Sequence, residues 1–357
     1  MILIATLFLA QLALVVSFDA PGVPLSTIYS SNMVFQRDST TTLQGWSSAP
    51  STEVRVSLSN SNGDVIQRAT GETESQVNAD TGFYPWFASI PAMSGSVSDA
   101  FSISVDTAVG EAVTLENVLF GDVFVCSGQS NMQFSIDGME GKEDEIKLAD
   151  EMGQIRMFGV GQPAGRLDGP QETLPSVALP WTVVNSTTVM QTGHFSQFSA
   201  VCYMSGRHVF TDILDKKIPV GLISSNWGGT PVEAWMPADQ LQGQCDQSKP
   251  TKPTDPDAKS TSASVLDDWN PNADSVLFNN MIYPFNGVNV KGAIWYQGET
   301  NVGAKDYACK QNLMAEAWRK LAGWESMKFF YIQLAAYKCG GASRLAPASR
   351  VNASTAS

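Results

Sequence analysis

The sequence predicts an α/β protein: a mostly parallel sheet covered by helices, preceded by a small antiparallel β-domain. Three observations carry this. Residues 20 to about 117 alternate apolar and polar side chains with a period of two and show no helical pattern. From residue 118 onward, strand-like and helix-like segments alternate, the mark of parallel strands joined by helical crossovers. Three of those strands end in clusters of small polar residues, and in a parallel sheet such ends share one edge.

Taken in order, the N-terminus reads MILIATLFLAQLALVVSFDA, a short apolar run followed by small residues near Ser17 and Ala20. It is too short for a comfortable membrane span, and residues 1–17 read as a secretory signal peptide. Residues 18–117 form the expected β-sandwich-like domain. EVRVSLS, FYPWFASI and FSISVD are its strands, and SNGD and ADTG are its turns. Residues 118–339 form the α/β domain. Its strands are NVLFGDVFVC, QIRMFGV, IPVGLISSNW, KGAIWYQGE and MKFFYIQLA; its helices are EGKEDEIKLADEM, SAVCYMSGRHVFTDILD and DYACKQNLMAEAWRKLAG. The Pro-, Ser- and Lys-rich stretch 246–264 reads as a mobile loop, and residues 340–357 as a disordered tail.

Composition narrows the function. The chain has 357 residues, a net charge of −13 and only 16% charged residues. Such acidity argues against nucleic acid and anionic membranes as partners and leaves small molecules or glycans. No segment after the signal peptide is apolar enough to span a bilayer. Sequons at Asn185 and Asn352 accord with secretion and mark candidate glycosylation sites. Of five cysteines, Cys126 and Cys202 lie in apolar runs and read as buried thiols, while Cys245 and Cys309 lie in loop-like sequence where they could pair. The odd count leaves at least one thiol over, and sequence does not fix the pairing.

The chemistry sits at the strand ends. The first gives Gly128-Gln129-Ser130-Asn131, the second Ser225-Asn226-Trp227-Gly228-Gly229-Thr230, the third Gln297-Gly298-Glu299-Thr300-Asn301. A serine at a strand-to-helix turn is either an exposed nucleophile or a helix cap. The Gly228-Gly229 pair either lets backbone approach a ligand or forms a plain tight turn. Gln297, Glu299 and Asn301 either point polar groups at a ligand or tie a loop to itself. Converged on one edge, the three clusters have the layout of an acyl-transfer site.

These blocks resemble the SGNH/GDSL-like esterases, specifically the sialate O-acetylesterase family. SNMVFQRD, LQGW, VLFGDVFVCSGQSNMQFS, FSAVCYMSGR, PVGLISSNWGGTPVEAW, LFNNMIYPF and KGAIWYQGETN follow in that family's order across nearly the whole chain. The resemblance implies a flavodoxin-like, three-layer SGNH hydrolase domain behind a β-domain. It implies a secreted or lysosomal serine carboxylesterase that removes O-acetyl groups from sialic acids and sialoglycans, with no metal and no cofactor. Ser130 matches the family nucleophile. Its N–H, that of Gly228 or Gly229, and a polar side chain of the Gln297 block would form the oxyanion hole.

The sequence departs from the family pattern at one place. The family's last block, an Asp-x-x-His stretch after the final strand that supplies the base and its orienting carboxylate, has no counterpart after Leu334. The α/β domain therefore reads as C-terminally incomplete. The only histidines are His194, in loop-like TGHFSQFS, and His208, expected half-buried on a helix; neither is expected to serve as base. The alternative reading is a catalytically inactive truncated or splice product that acts as a glycan-binding or decoy protein.

Overall fold

The structure is a computed structural model that describes residues 25–78, 82–163, 165, 169–190, 193–241, 245 and 270–335. The expected signal peptide, the stretch 246–264, Cys339, Asn352 and the expected tail lie outside these residues.

The N-terminal part is built from β1 (Val34–Gln36), β2 (Thr41–Ser47), β3 (Glu53–Ser59), β4 (Val65–Glu72), β5 (Tyr84–Ile90), β6 (Phe101–Thr107) and the start of β7 (Ala112–Gly128). β4, β3, β6 and β7 pair antiparallel in that order, and β2 pairs with β5 in a separate two-stranded sheet. The period-two pattern explains the pairing. Val54, Val56 and Leu58 of β3 and Ile103 and Val105 of β6 are buried, while the residues between them are at least partly exposed.

β7 joins the two halves. Its first part pairs antiparallel with β6, and its second part pairs parallel with β1 and with the strands of the α/β sheet. The β6–β7 register slips by one residue around Asn117, which adopts φ 54°. Such a bulge bends and twists the strand where it changes partners. The 117/118 boundary thus falls inside one continuous strand.

Beyond β7 come α1 (Ser130–Gln133), α2 (Lys142–Ala149), β8 (Ile155–Val160), β9 (Val177–Val183), α3 (Ser186–Val189), α4 (Ala200–His208), β10 (Val220–Asn226), β11 (Gly292–Tyr296), α5 (Tyr307–Trp318) and β12 (Lys328–Tyr331). The sheet order is β9-β8-β10-β7-β11-β12, parallel except for β9. This bears out the expected α/β class. β9 has no counterpart in the expected strands: Pro180 interrupts its pattern and sits exposed on the sheet edge, where the missing N–H is harmless.

Both faces of the central strands are covered, which is why they read as continuous apolar runs. Val123, Val125, Ile223, Ala293 and Trp295 face one core, continuous with that of the β-domain. Phe124, Cys126, Leu222 and Ile294 face a second core under α4. Here the structure corrects the sequence reading. Cys126 and Cys202 are not two buried thiols but a disulfide, because α4 packs on the face toward which Cys126 points and brings the Cα atoms to 5.7 Å. Cys245 and Cys309 also pair, with Cα atoms 5.7 Å apart. Among the described residues, no helix is long and apolar enough to cross a membrane.

Candidate active site

The three strand ends meet in register. Gly128, the last residue of β7, lies opposite Asn226 of β10 on one side and Tyr296 of β11 on the other. Only glycine fits there. Its φ is +142°, and a Cβ would stand 2.1 Å from the Tyr296 carbonyl oxygen. Beyond Gly128 the chain leaves the sheet: Gln129 N–H donates to Tyr296 O at 3.1 Å, and Trp227 N–H donates to Gly128 O at 3.1 Å.

The turn decides what Ser130 is not. Gln129 holds the cap position of α1, and Ser130 is the first residue of the helix, so its hydroxyl does not cap it. Ser130 is half-buried at the C-terminal edge of the sheet, next to the second cluster. A Cβ placed on Gly228 would lie 3.4 Å from Ser130 Cβ. The helix itself is a single turn of four residues rather than the longer helix on which a sizeable dipole at Ser130 would rest. Gly228 and Gly229 divide the two roles that sequence left open. Gly228 brings its backbone against Gln133 and Ser130, and Gly229, at φ +75° with open space around it, makes the turn.

Two glutamines that flank Ser130 bind the clusters together. Gln129, buried, accepts from the Gly298 and Thr300 N–H groups at 3.2 and 3.3 Å. Gln133 accepts from the Gly228 N–H at 2.7 Å. Neither was singled out from sequence, although both stand in the nucleophile block. The signal was their spacing around Ser130: Gln133 follows it by three residues and shares its helix face.

The third cluster holds itself and its neighbours. Gln297 Nε2 donates to Thr230 O at 3.1 Å and Asn301 Oδ1 at 2.7 Å, while its Oε1 accepts from Tyr307 OH at 2.7 Å. Asn301 Oδ1 also accepts from Val232 N–H, and its Nδ2 donates to Glu233. Glu233 in turn binds Lys310 Nζ at 2.7 Å, and Lys310 binds Asp306. Burial alone would raise the Glu233 carboxyl, but the Lys310 ammonium and Asn301 amide outweigh it and hold it below the usual range. Burial pushes the Tyr307 phenol well up. Besides the Gly298 and Thr300 N–H groups on its cap, the nucleophile helix is reached by the Glu299 side chain, through a hydrogen bond from Asn131 Nδ2. So Ser130, Gly228 and Glu299 come together around α1, while the side chains of Gln297 and Asn301 are engaged behind them.

The histidines lie elsewhere. His194 is exposed beside Phe134, ring centroids 6.1 Å apart, and its carbonyl accepts from Ser135 N–H. His208 is exposed rather than half-buried, and its Nδ1 lies 2.7 Å from Asp212 Oδ2. α4 begins at the site, where Ala200 N–H donates to Phe134 O, and His208 comes eight residues later, about 12 Å along the axis. Among the described residues, neither imidazole hydrogen-bonds to Ser130.

No protein-family model matches the chain. Two curated relatives, each named sialate O-acetylesterase, from Homo sapiens and Pongo abelii, are 28% identical to it over 302 residues. That span covers 84% of this chain and 53% of each relative. The chain is similar to sialate O-acetylesterases. The one from Mus musculus is 30% identical over 249 residues, 62% of this chain and 44% of its own. A solved structure of a carbohydrate acetylesterase from Xanthomonas citri matches with a TM-score of 0.67 at 26% identity, covering 89% of this chain and 61% of that one. The resemblance to sialate O-acetylesterases read from the sequence blocks is thereby borne out, and the chain spans about half the length of the curated relatives it matches.

Proposed function

We propose that this chain is a carbohydrate O-acetylesterase that uses Ser130 as nucleophile and O-acetylated sialic acids as substrates. The observation that carries the reading is the placement of Ser130. It opens a helix at the end of the central strand, with the Gly228 backbone packed against its side chain. In the reaction, Ser130 Oγ attacks the acetyl carbonyl, the sugar oxygen leaves with a proton, and water hydrolyses the acetyl-serine. Serine acyl transfer asks for no metal or cofactor. Similarity to sialate O-acetylesterases and to a carbohydrate acetylesterase supports the substrate class. The two disulfides support folding in the oxidising secretory pathway, reached through the signal peptide, on the way to an extracellular or lysosomal destination.

A second reading rests on the histidines. Serine needs a base, and both imidazoles of the chain are held away from Ser130. On that reading the chain retains O-acetylated glycans without turning them over. Acetyl release from an aryl acetate and from 9-O-acetylated sialic acid, measured beside Ser130→Ala, tests both. Release lost in Ser130→Ala supports the esterase. Release equal to that of Ser130→Ala refutes it and leaves the binding reading.

A further inference from the structure

Gln133, through Oε1, takes a backbone N–H packed beside Ser130. It is three residues after Ser130 on the same single turn, so the two side chains project to the same side. Its Oε1 takes the Gly228 N–H at 2.7 Å, and a methyl group on Gly228 would sit between that oxygen, at 3.1 Å, and Ser130 Cβ, at 3.4 Å. A carbonyl oxygen thus already occupies a backbone donor beside the nucleophile. We infer that Gln133 is an internal stand-in for the substrate carbonyl: it satisfies the Gly228 N–H in the resting site and is displaced when an acyl group binds there. This rests on the esterase reading of Ser130 and adds a positioning residue to it.

The physical consequence concerns which state gains. An amide oxygen and an ester carbonyl are neutral acceptors, so exchanging one for the other on Gly228 changes little. An oxyanion is charged, and its hydrogen bonds are roughly twice as strong. Displacing Gln133 is therefore nearly neutral for the bound ester and favourable for the tetrahedral intermediate, which directs the donor's stabilisation to the transition state. The stand-in also keeps a half-buried N–H from going unpaired, and keeps the Gly228-Gly229 turn aimed at Ser130 before substrate arrives.

The sequence offers a clean probe. Trp227-Gly228 is the only Trp-Gly pair in the chain. Carbonyl-¹³C tryptophan with ¹⁵N glycine therefore leaves one doubly labelled amide in the NMR spectrum of the full chain. Acetate, the reaction product, is the ligand to titrate. In Gln133→Met, which keeps the length and removes the acceptor, the Gly228 amide should move upfield and exchange faster with solvent. Acetate should then perturb it at about fivefold lower concentration, the size of one neutral hydrogen bond. Gln133→Glu, a stronger and charged acceptor, should move the amide downfield and raise the acetate concentration needed. A Gly228 amide unchanged in Gln133→Met, or an acetate response the same in all three proteins, overturns the inference. These readings need no turnover, so an inactive chain, which sinks the esterase reading, is told apart from a failed stand-in. Where Ser130-dependent turnover is present, Gln133→Met should lower KM more than it changes kcat.

Discussion

Removing the Cys126–Cys202 disulfide should unfold the chain more easily by an amount its loop length sets. The bond joins β7, four residues before Ser130, to α4, whose first turn receives α1. It closes a loop of sequence separation 76, and the chain-entropy relation gives about 4.5 kcal/mol for that length. Cys126 and Cys202 are both fully buried, so Cys126→Ala with Cys202→Ala also removes packed sulfur and adds to the loss. With about 2.1 cal/mol/K of unfolding entropy per residue, a chain of 357 residues shifts by roughly 1–2 °C per kcal/mol, so the melting temperature should fall by roughly 6–8 °C. The Cys245–Cys309 loop, of separation 64, gives about 4.3 kcal/mol by the same relation. The two double variants are therefore matched in loop entropy, and any extra loss at Cys126–Cys202 reports its buried packing. The assay is guanidinium unfolding followed by tryptophan fluorescence, with thiol titration to confirm that the wild-type pair is oxidised. A Cys126→Ala, Cys202→Ala midpoint equal to wild type would refute the reasoning, as would two reactive thiols in the unfolded, unreduced wild type at these positions.

Three further outcomes are expected. Gly128→Ala should cost roughly 1–3 kcal/mol for its backbone conformation alone, and more for a Cβ 2.1 Å from Tyr296 O; urea midpoints measure it, and a neutral substitution would contradict the strand-end geometry. Glu233 is held below the ordinary carboxylate range, chiefly by Lys310 once burial is overcome. Its contribution is thus present above its unfolded pKa and lost as pH falls through the lower folded value, and Lys310→Met should flatten that acid-side slope. Arg156 is 3% exposed, its Nε and Nη1 find no acceptor among the described residues, and burial pushes the guanidinium down to about 10. Arg156→Met should therefore be neutral or stabilising by up to a few kcal/mol, and a clear loss of thermal stability would show that the charge has a partner.

How much was legible in sequence depends on the range of the interaction. Val123, Phe124, Val125 and Cys126 announced a strand covered on both faces, and the polar clusters after β7, β10 and β11 announced a shared edge, because local pattern and parallel pairing fix both. Gly128 was readable as a turn, but the reason only glycine fits, the Tyr296 carbonyl, is contributed by residues far along the chain. The Cys126–Cys202 bond depended on where α4 packs, which no spacing reveals. β9 was hidden by Pro180, a residue that argues against a central strand and fits an edge. Gln133 was hidden for a different reason: the Gly228 N–H it accepts from is brought to it from a sequence separation of 95.

The site divides into two parts of different origin, and that division can be tested directly. The strand-end part comes from main-chain register: three strand ends, one glycine close approach and two glutamines assemble it around Ser130. The proton-transfer part needs an imidazole, and the chain's two imidazoles are turned to Asp212 and Phe134. Positioned general-base catalysis contributes about 10²–10⁴-fold, so a site with only the first part should bind and react slowly. Free imidazole in solution should then raise acetyl release, because a small neutral base can enter over a half-buried serine. The rise should saturate with imidazole and vanish in Ser130→Ala, which fixes the background of direct ester cleavage. An imidazole response identical in the two proteins would show that Ser130 does not take the acetyl group. A wild-type rate that is already Ser130-dependent and indifferent to imidazole would show that a base does reach it, and Asp212→Asn would then ask whether releasing His208 from its partner alters that rate.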